Sequence, residues 1–183
     1  YILIIALLAI HSAMAQGCLP QGITFTTQEQ IDNFQTDYPG CTEIEGYVLI
    51  TGQDIIQLNG LGVLTKINGG LYISNNPVLT SIAALENIDT IGGSLGINNN
   101  DSLTKLSGLE SLKYVGGSLE LSENLSLISI AAFANLTSIN GTLEISSCSI
   151  LKSLTGIDNL ISIGQNFYFT WNDSIVDLIP LSN

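Results

Sequence analysis

A β-solenoid with 24-residue coils is the fold class this sequence predicts, and three observations predict it. The first is an unbroken apolar column. Adding 24 to Leu71, Ile73, Leu79, Ile82, Leu85, Ile88 and Ile91 gives Leu95, Ile97, Leu103, Leu106, Leu109, Leu112 and Val115. Two further additions give Leu119, Leu121, Leu127, Ile130, Phe133, Leu136, Ile139 and then Leu143, Ile145, Leu151, Leu154, Ile157, Leu160, Ile163. A fixed period of this size marks stacked coils, because one coil cannot bury its own apolar side and needs neighbours. The second is a Gly-Gly turn feeding a short strand, at Gly69-Gly70, Gly92-Gly93 and Gly116-Gly117, since glycine enters backbone regions other residues resist. The third is an apolar residue at every third position after that strand, which fits extended pieces and single 3₁₀ turns rather than a long helix. One parallel sheet, formed by the stacked strands, is expected on one face.

In chain order, residues 1–15 (YILIIALLAIHSAMA) are an apolar run ending in Ala13-Met14-Ala15, the small-x-small form of a signal-peptidase site, and are read as an incomplete signal peptide. About 12 apolar residues are too few to cross a bilayer core of about 30 Å. Residues 16–45 are expected to form an N-terminal cap. In it Thr26-Thr27-Gln28-Glu29 sets a hydroxyl three residues before a carboxylate, and Ile31, Phe34 and Tyr38 follow at helical spacing until Pro39-Gly40. That pattern predicts one short helix over about 27–37 covering the open end of the stack. Residues 46–183 are then about six coils. Val48 and Ile50 precede Leu71 and Ile73 by one position less than the repeat, whereas Ile55, Leu58, Leu61, Leu64 and Ile67 keep the full offset, so the first turn is tighter. The last coil, from Gln165 to Asn172, carries Phe167, Tyr168, Phe169 and Trp171 in place of aliphatics, and Asn183 falls in mid-coil, so further coils or another C-terminal domain are expected.

Asn76, Asn100, Asn124 and Asn172 repeat at the turn after the strand, with Cys148 in the same phase. An inward Asn at that point can bond backbone groups of its own and the adjacent coil, so the four are expected to form a structural ladder. Cys148 is read there as a small buried substitute without a His or Arg neighbour to lower its pKa.

Composition closes off several kinds of function. The chain has a net charge of -12 and four lysines as its only strong cations, which argues against nucleic acid and anionic membranes, both of which are bound through clustered Lys and Arg. Its single histidine, His11, lies in the leader. Ser-His-Asp catalysis, a His metal site and an Arg phosphate clamp are therefore unavailable to the mature chain. Lys66, Lys105, Lys113 and Lys152 fall at scattered phases of the repeat, unlike the basic site a polysaccharide lyase needs. Cys18 and Cys41 flank the cap and are natural disulfide partners in an oxidising compartment. Lipidation of Cys18 is the other reading of Ala15-Gln16-Gly17-Cys18.

Cys18, the short helix, the stretch Cys41-Thr42-Glu43-Ile44-Glu45-Gly46-Tyr47-Val48-Leu49-Ile50 and the Gly-Gly, Leu-x-Ile-x-x-Asn coils together resemble the receptor L domain. That family supplies ligand-binding ectodomain lobes of epidermal growth factor and insulin receptors and also occurs in microbial surface proteins. The resemblance implies a right-handed, leucine-rich-repeat-like solenoid and a non-catalytic job. The coils here are more regular than those of the receptors and are closer to bacterial surface proteins, so hormone binding does not carry over.

Outward strand positions define the candidate binding face. One column holds Thr51, Ser74, Asn98, Ser122, Ser146 and Thr170; the next Tyr72, Gly96, Glu120, Glu144 and Tyr168; a third Asn75, Asn99, Glu123, Ser147 and Trp171. Tyr and Trp beside small polar residues suit recognition of an extracellular protein or glycan. Tyr72, Ser74, Asn98, Glu120, Ser122, Glu144, Tyr168 and Trp171 are the candidate ligand-binding residues. Stacked Glu120 and Glu144 raise the question of a cation, but the six or more oxygens that Ca²⁺ takes are not in view. They also raise that of a glycosidase pair, but an open face offers no cleft to shift a pKa. A hydroxyl column suits ice binding only with regular paired threonines, which are missing. No catalytic residue, metal site or cofactor is expected. The alternatives to a binding module are a structural spacer in a larger surface protein and a fragment of a carbohydrate-active enzyme.

Overall fold

The computed structural model describes residues 16–176 and residue 178; the leader at 1–15 and the apolar position Leu181 lie outside them. Two parallel sheets of seven strands run the length of the described chain, where the sequence pattern suggested one. The first contains β1 (Gln16–Cys18), β3 (Cys41–Ile44), β5 (Lys66–Ile67), β7 (Thr90–Ile91), β9 (Tyr114–Val115), β11 (Ser138–Ile139) and β13 (Ser162–Ile163) in that order. The second contains β2 (Ile23–Phe25), β4 (Val48–Ile50), β6 (Leu71–Ser74), β8 (Leu95–Asn98), β10 (Leu119–Ser122), β12 (Leu143–Ser146) and β14 (Phe167–Thr170). The first sheet escaped the periodicity because from β5 onward its strands are only two residues long, too short for an inward-outward alternation to show.

The register is that of the repeat. Leu71 pairs with Leu95, Leu95 with Leu119, Leu119 with Leu143, and Leu143 with Phe167, each one full repeat on. Val48 pairs with Leu71 and Ile44 with Ile67, each one position short of the repeat, where the first turn is tighter. The Gly-Gly turn is the corner at which the chain leaves one sheet for the other. Backbone N–H groups of Gly93, Gly117 and Gly141 donate to the carbonyls of Gly69, Gly93 and Gly117, all at 2.8 Å. A Cβ on Gly116 would stand 2.0 Å from the Gly92 carbonyl oxygen, so a side chain there would force the stacked corner to shift.

The 3₁₀ turns Asn59–Leu61, Ala83–Asn87 and Ala131–Phe133 lie between β4 and β5, β6 and β7, and β10 and β11. They place Leu61, Leu85 and Phe133 in the core, each with no exposed surface. Every apolar repeat position from Leu71 to Ile157 is buried between the sheets.

The cap is more than a helix. Residues 16–45 already follow the coil path, adding β1 to one sheet and β2 to the other, with Ile23 paired to Val48, one position beyond the repeat. That longer offset hides the coil from a comparison at the strict period. The expected helix over 27–37 stands as two short helices, α1 (Gln28–Asp32) and α2 (Phe34–Asp37), separated at Asn33. The capping box is one residue later than the Thr26 and Glu29 pattern suggested. Thr27 Oγ1 accepts from the Gln30 backbone N–H, while Gln30 Oε1 accepts from the backbone N–H groups of Thr26 and Thr27 at 2.7 and 3.3 Å. An amide reaching two donors displaces the carboxylate box. Ile31 and Phe34 are fully buried and close the end of the core, with the Phe25 and Phe34 rings edge to face at 5.9 Å. Tyr38 packs on Phe34 but stays 37% exposed. A disulfide joins Cys18 and Cys41 across this coil.

Candidate functional site

The alternation of β6, β8, β10, β12 and β14 turns one set of residues to the core and the other to solvent. Pairing brings the outward residues into rows across the sheet. Tyr72, Gly96, Glu120, Glu144 and Tyr168 form one row on successive strands. Ser74, Asn98, Ser122, Ser146 and Thr170 form the next. All eight candidate ligand-binding residues lie on these five strands or, for Trp171, at the end of β14.

Side chains within the face are unequal. The Tyr72 ring turns back over Gly70 with one edge against the next strand, its Cδ1 lying 3.1 Å from the place a Cβ on Gly96 would take, and Gly96 is buried beside it. Ser122 donates from both its hydroxyl and its backbone N–H to Asn98 Oδ1, at 3.0 and 3.1 Å. Ser146, buried, donates its hydroxyl to Glu144 Oε1 at 3.1 Å. These contacts tie the centre of the face together. Its far edge is open: Tyr168 is 51% and Trp171 76% exposed.

The third row has a backbone signature that the residue types only partly betray. Asn75, Asn99, Glu123, Ser147 and Trp171 all hold φ between 55° and 60°, the left-handed region. Asn tolerates that region and a bulky aromatic does not. Asn99 also donates its Nδ2 to Asn75 Oδ1 at 2.7 Å.

Behind the face, the Asn turn positions form hydrogen bonds from coil to coil. Asn76 Oδ1 accepts from the Gly52 N–H, Asn100 Oδ1 from the Asn76 N–H, Asn124 Oδ1 from the Asn100 N–H, and Asn172 Oδ1 from the Cys148 N–H, at 2.8 to 3.2 Å. Their Nδ2 groups donate to the carbonyls of Ile50, Ile73, Ile97 and Ile145 at 2.7 to 3.0 Å. Among the described residues no buried side-chain nitrogen or oxygen lacks a partner. Burial pushes the Cys148 thiol up, partly offset by hydrogen bonds from Asn124. The thiolate, which is the nucleophile, is thereby disfavoured.

Concave surfaces lie elsewhere on the coil. One is lined by Glu86, Asn87, Gly108 and Glu110, and a second by Asn135, Thr137, Asn159 and Ile161, in the segments that link the second sheet to the first. Glu120 and Glu144 are in neither. Among the described residues no group of three or more His, Cys, Asp or Glu is placed to hold a metal ion.

A sequence profile of the receptor L domain matches residues 40–96 and again residues 89–156. The chain belongs to the receptor L domain family. Comparison with curated proteins and with solved structures returned no match. The two family matches span β3 to β12, so this receptor L domain carries Tyr72, Ser74, Asn98, Glu120, Ser122 and Glu144 within the matched stretch and Tyr168 and Trp171 beyond it. The family is a ligand-binding one, the disulfide fits an extracellular setting, and among the described residues no helix is long and apolar enough to cross a membrane.

Sequence reasoning missed an alternation of two coil types. Gly108 and Gly156 have φ of 113° and 118°, and their N–H groups donate to Glu110 Oε2 and Asp158 Oδ2 at 2.6 and 2.7 Å. Ala84 and Ala132 occupy those phases in the intervening coils, where Ser81 and Ser129 instead accept from the N–H groups of Ala83 and Ala131. The signal was present as Ser107-Gly108-Leu109-Glu110 against Thr155-Gly156-Ile157-Asp158.

Proposed function

We propose that this receptor L domain is an exported, non-catalytic binding module of a secreted or cell-surface protein, of the kind borne by bacterial surface proteins. Its coils wind right-handed, and the outward face of the second sheet contacts an extracellular protein or glycan. The observation that carries this reading is the row from Tyr72 through Glu120 and Glu144 to Tyr168, continued by Trp171, on a regular sheet that needs none of those side chains for its core. Large rigid aromatics beside polar groups give contact area at little entropic cost.

The test is a screen of glycans and surface proteins against the folded domain, with the double variant Glu120→Ala/Trp171→Ala as control. Binding that the variant loses supports recognition on the sheet; binding that it keeps moves the site elsewhere. A second reading, the structural spacer, is favoured by one observation. Ser122 with Asn98, Asn99 with Asn75 and Ser146 with Glu144 engage polar groups with one another. A folded domain that retains no member of the screen favours the spacer.

A further inference from the structure

We propose that the partner of this face is a cationic polypeptide segment, whose Lys or Arg side chains meet the Glu120, Glu123 and Glu144 carboxylates and the faces of Tyr72, Tyr168 and Trp171. The inference rests on the sheet-face reading above and names the chemistry of what docks there.

Charge distribution is the first argument. Three carboxylates sit on or beside adjoining strands β10 and β12, with Glu120 and Glu144 paired directly in register. Neighbouring strands lie about 4.8 Å apart, so like charges directly opposite cost stability and persist only against that cost. None of the four lysines is on this sheet: Lys66 is in β5 of the other sheet, Lys105 bridges to Ser129, Lys113 immediately precedes β9 and Lys152 lies beyond β12. The face therefore has uncompensated negative charge within its own surface, and a partner of opposite charge relieves the repulsion on docking.

The aromatic residues argue in the same direction. Tyr168 neighbours Glu144 across the β12–β14 pair, and one edge of the Tyr72 ring lies against Gly96, the residue paired with Glu120 on the next strand. Adjacent carboxylates flanked by aromatic residues fit ammonium or guanidinium groups, which gain from both. Trp171 adds a further observation. It holds φ 58° with 76% of its surface exposed, so the core gains little from an indole there while the backbone bears the strain. Asn75 and Asn99 show the residue that the same phase accepts without it.

Trp171 is the only tryptophan in the chain and reports on its own site. Decalysine, decaglutamate and chitohexaose are titrated against the folded chain by tryptophan fluorescence and calorimetry. Saturable decalysine binding that shifts the Trp171 emission is expected, with no response to decaglutamate. Glu120→Gln/Glu144→Gln should weaken it about tenfold. Glu86→Gln/Asp89→Asn removes the same charge from exposed positions off the sheet and should change it less than about twofold. Trp171→Asn should weaken binding while its unfolding midpoint is no lower than the parent's. Equal weakening by the two charge variants would mean attraction to net charge anywhere on the molecule and would overturn the proposal. Absence of saturable decalysine binding overturns it too. In that case a chitohexaose response centred on Trp171 leaves the sheet-face reading standing with a glycan as its ligand.

Discussion

At the first coil Phe25, Ile31 and Phe34 have essentially no exposed surface, and a disulfide ties Cys18 to Cys41 over them. At the last described coil Phe167 is 37% exposed, and Leu160, Ile163 and Phe169 are only half-buried. The repeat assigns both coils the same inward columns. Ile139, one coil earlier than Ile163 in register, is fully buried. Burial in this architecture thus comes from the next coil and not from the residue, as nearest-neighbour stacking requires. The N-terminal coil keeps its inward residues buried under two short helices and a disulfide, and the last described coil presents aromatic surface.

That contrast can be broken most forcefully in the middle of the stack. Ile97→Ala and Leu119→Ala should each cost about 2–5 kcal/mol by urea denaturation, since each leaves a cavity between two fully occupied coils. Phe169→Ala, although it deletes more atoms, should cost less than either, because part of its ring already meets water. Parity between Phe169 and the interior pair would show that the last described coil is as well packed as the others. Next in size is the cap: Cys18→Ser/Cys41→Ser opens a loop with a sequence separation of 23 and should lose about 3 kcal/mol by the loop-entropy model. A smaller loss is expected from Asn100→Ala, about 1–3 kcal/mol, as the Asn76 N–H and the Ile73 carbonyl lose their buried partner. Ser122→Ala should change stability by less than about 0.5 kcal/mol. Its hydroxyl is one of two donors to Asn98 Oδ1, and its backbone N–H remains.

The interior was legible because the repeat's fixed spacing acts on aliphatic side chains, and from Leu71 to Ile157 it identified inward residues directly. The Asn turn positions shared the spacing, so their placement followed as well. What stayed hidden did so for identifiable reasons. β7, β9 and β11 are two-residue strands, shorter than any alternation that could mark them. β1 and β2 belong to a coil whose offset to the next, from Ile23 to Val48, is one position longer than the repeat, so it falls out of a strict comparison. Left-handed backbone at Asn75 and Asn99 is the kind of conformation Asn suggests, but Glu123, Ser147 and Trp171 share it without any cue in residue type. For the face, the sequence could place Tyr72 and Glu120 in one row. It could not show that the Tyr72 ring lies against Gly96 or that Ser146 is held by Glu144, since both depend on where side chains turn after the strands have paired.

Native-state hydrogen exchange, resolved to peptides covering β4, β8, β12 and β14, tests the stacking claim most directly. The account predicts strong protection at β4 and β8, where a cap or a coil lies on both sides, and the fastest exchange at β14, opening without global unfolding. Amides of Phe167–Thr170 protected as well as those of Leu95–Asn98 would contradict it.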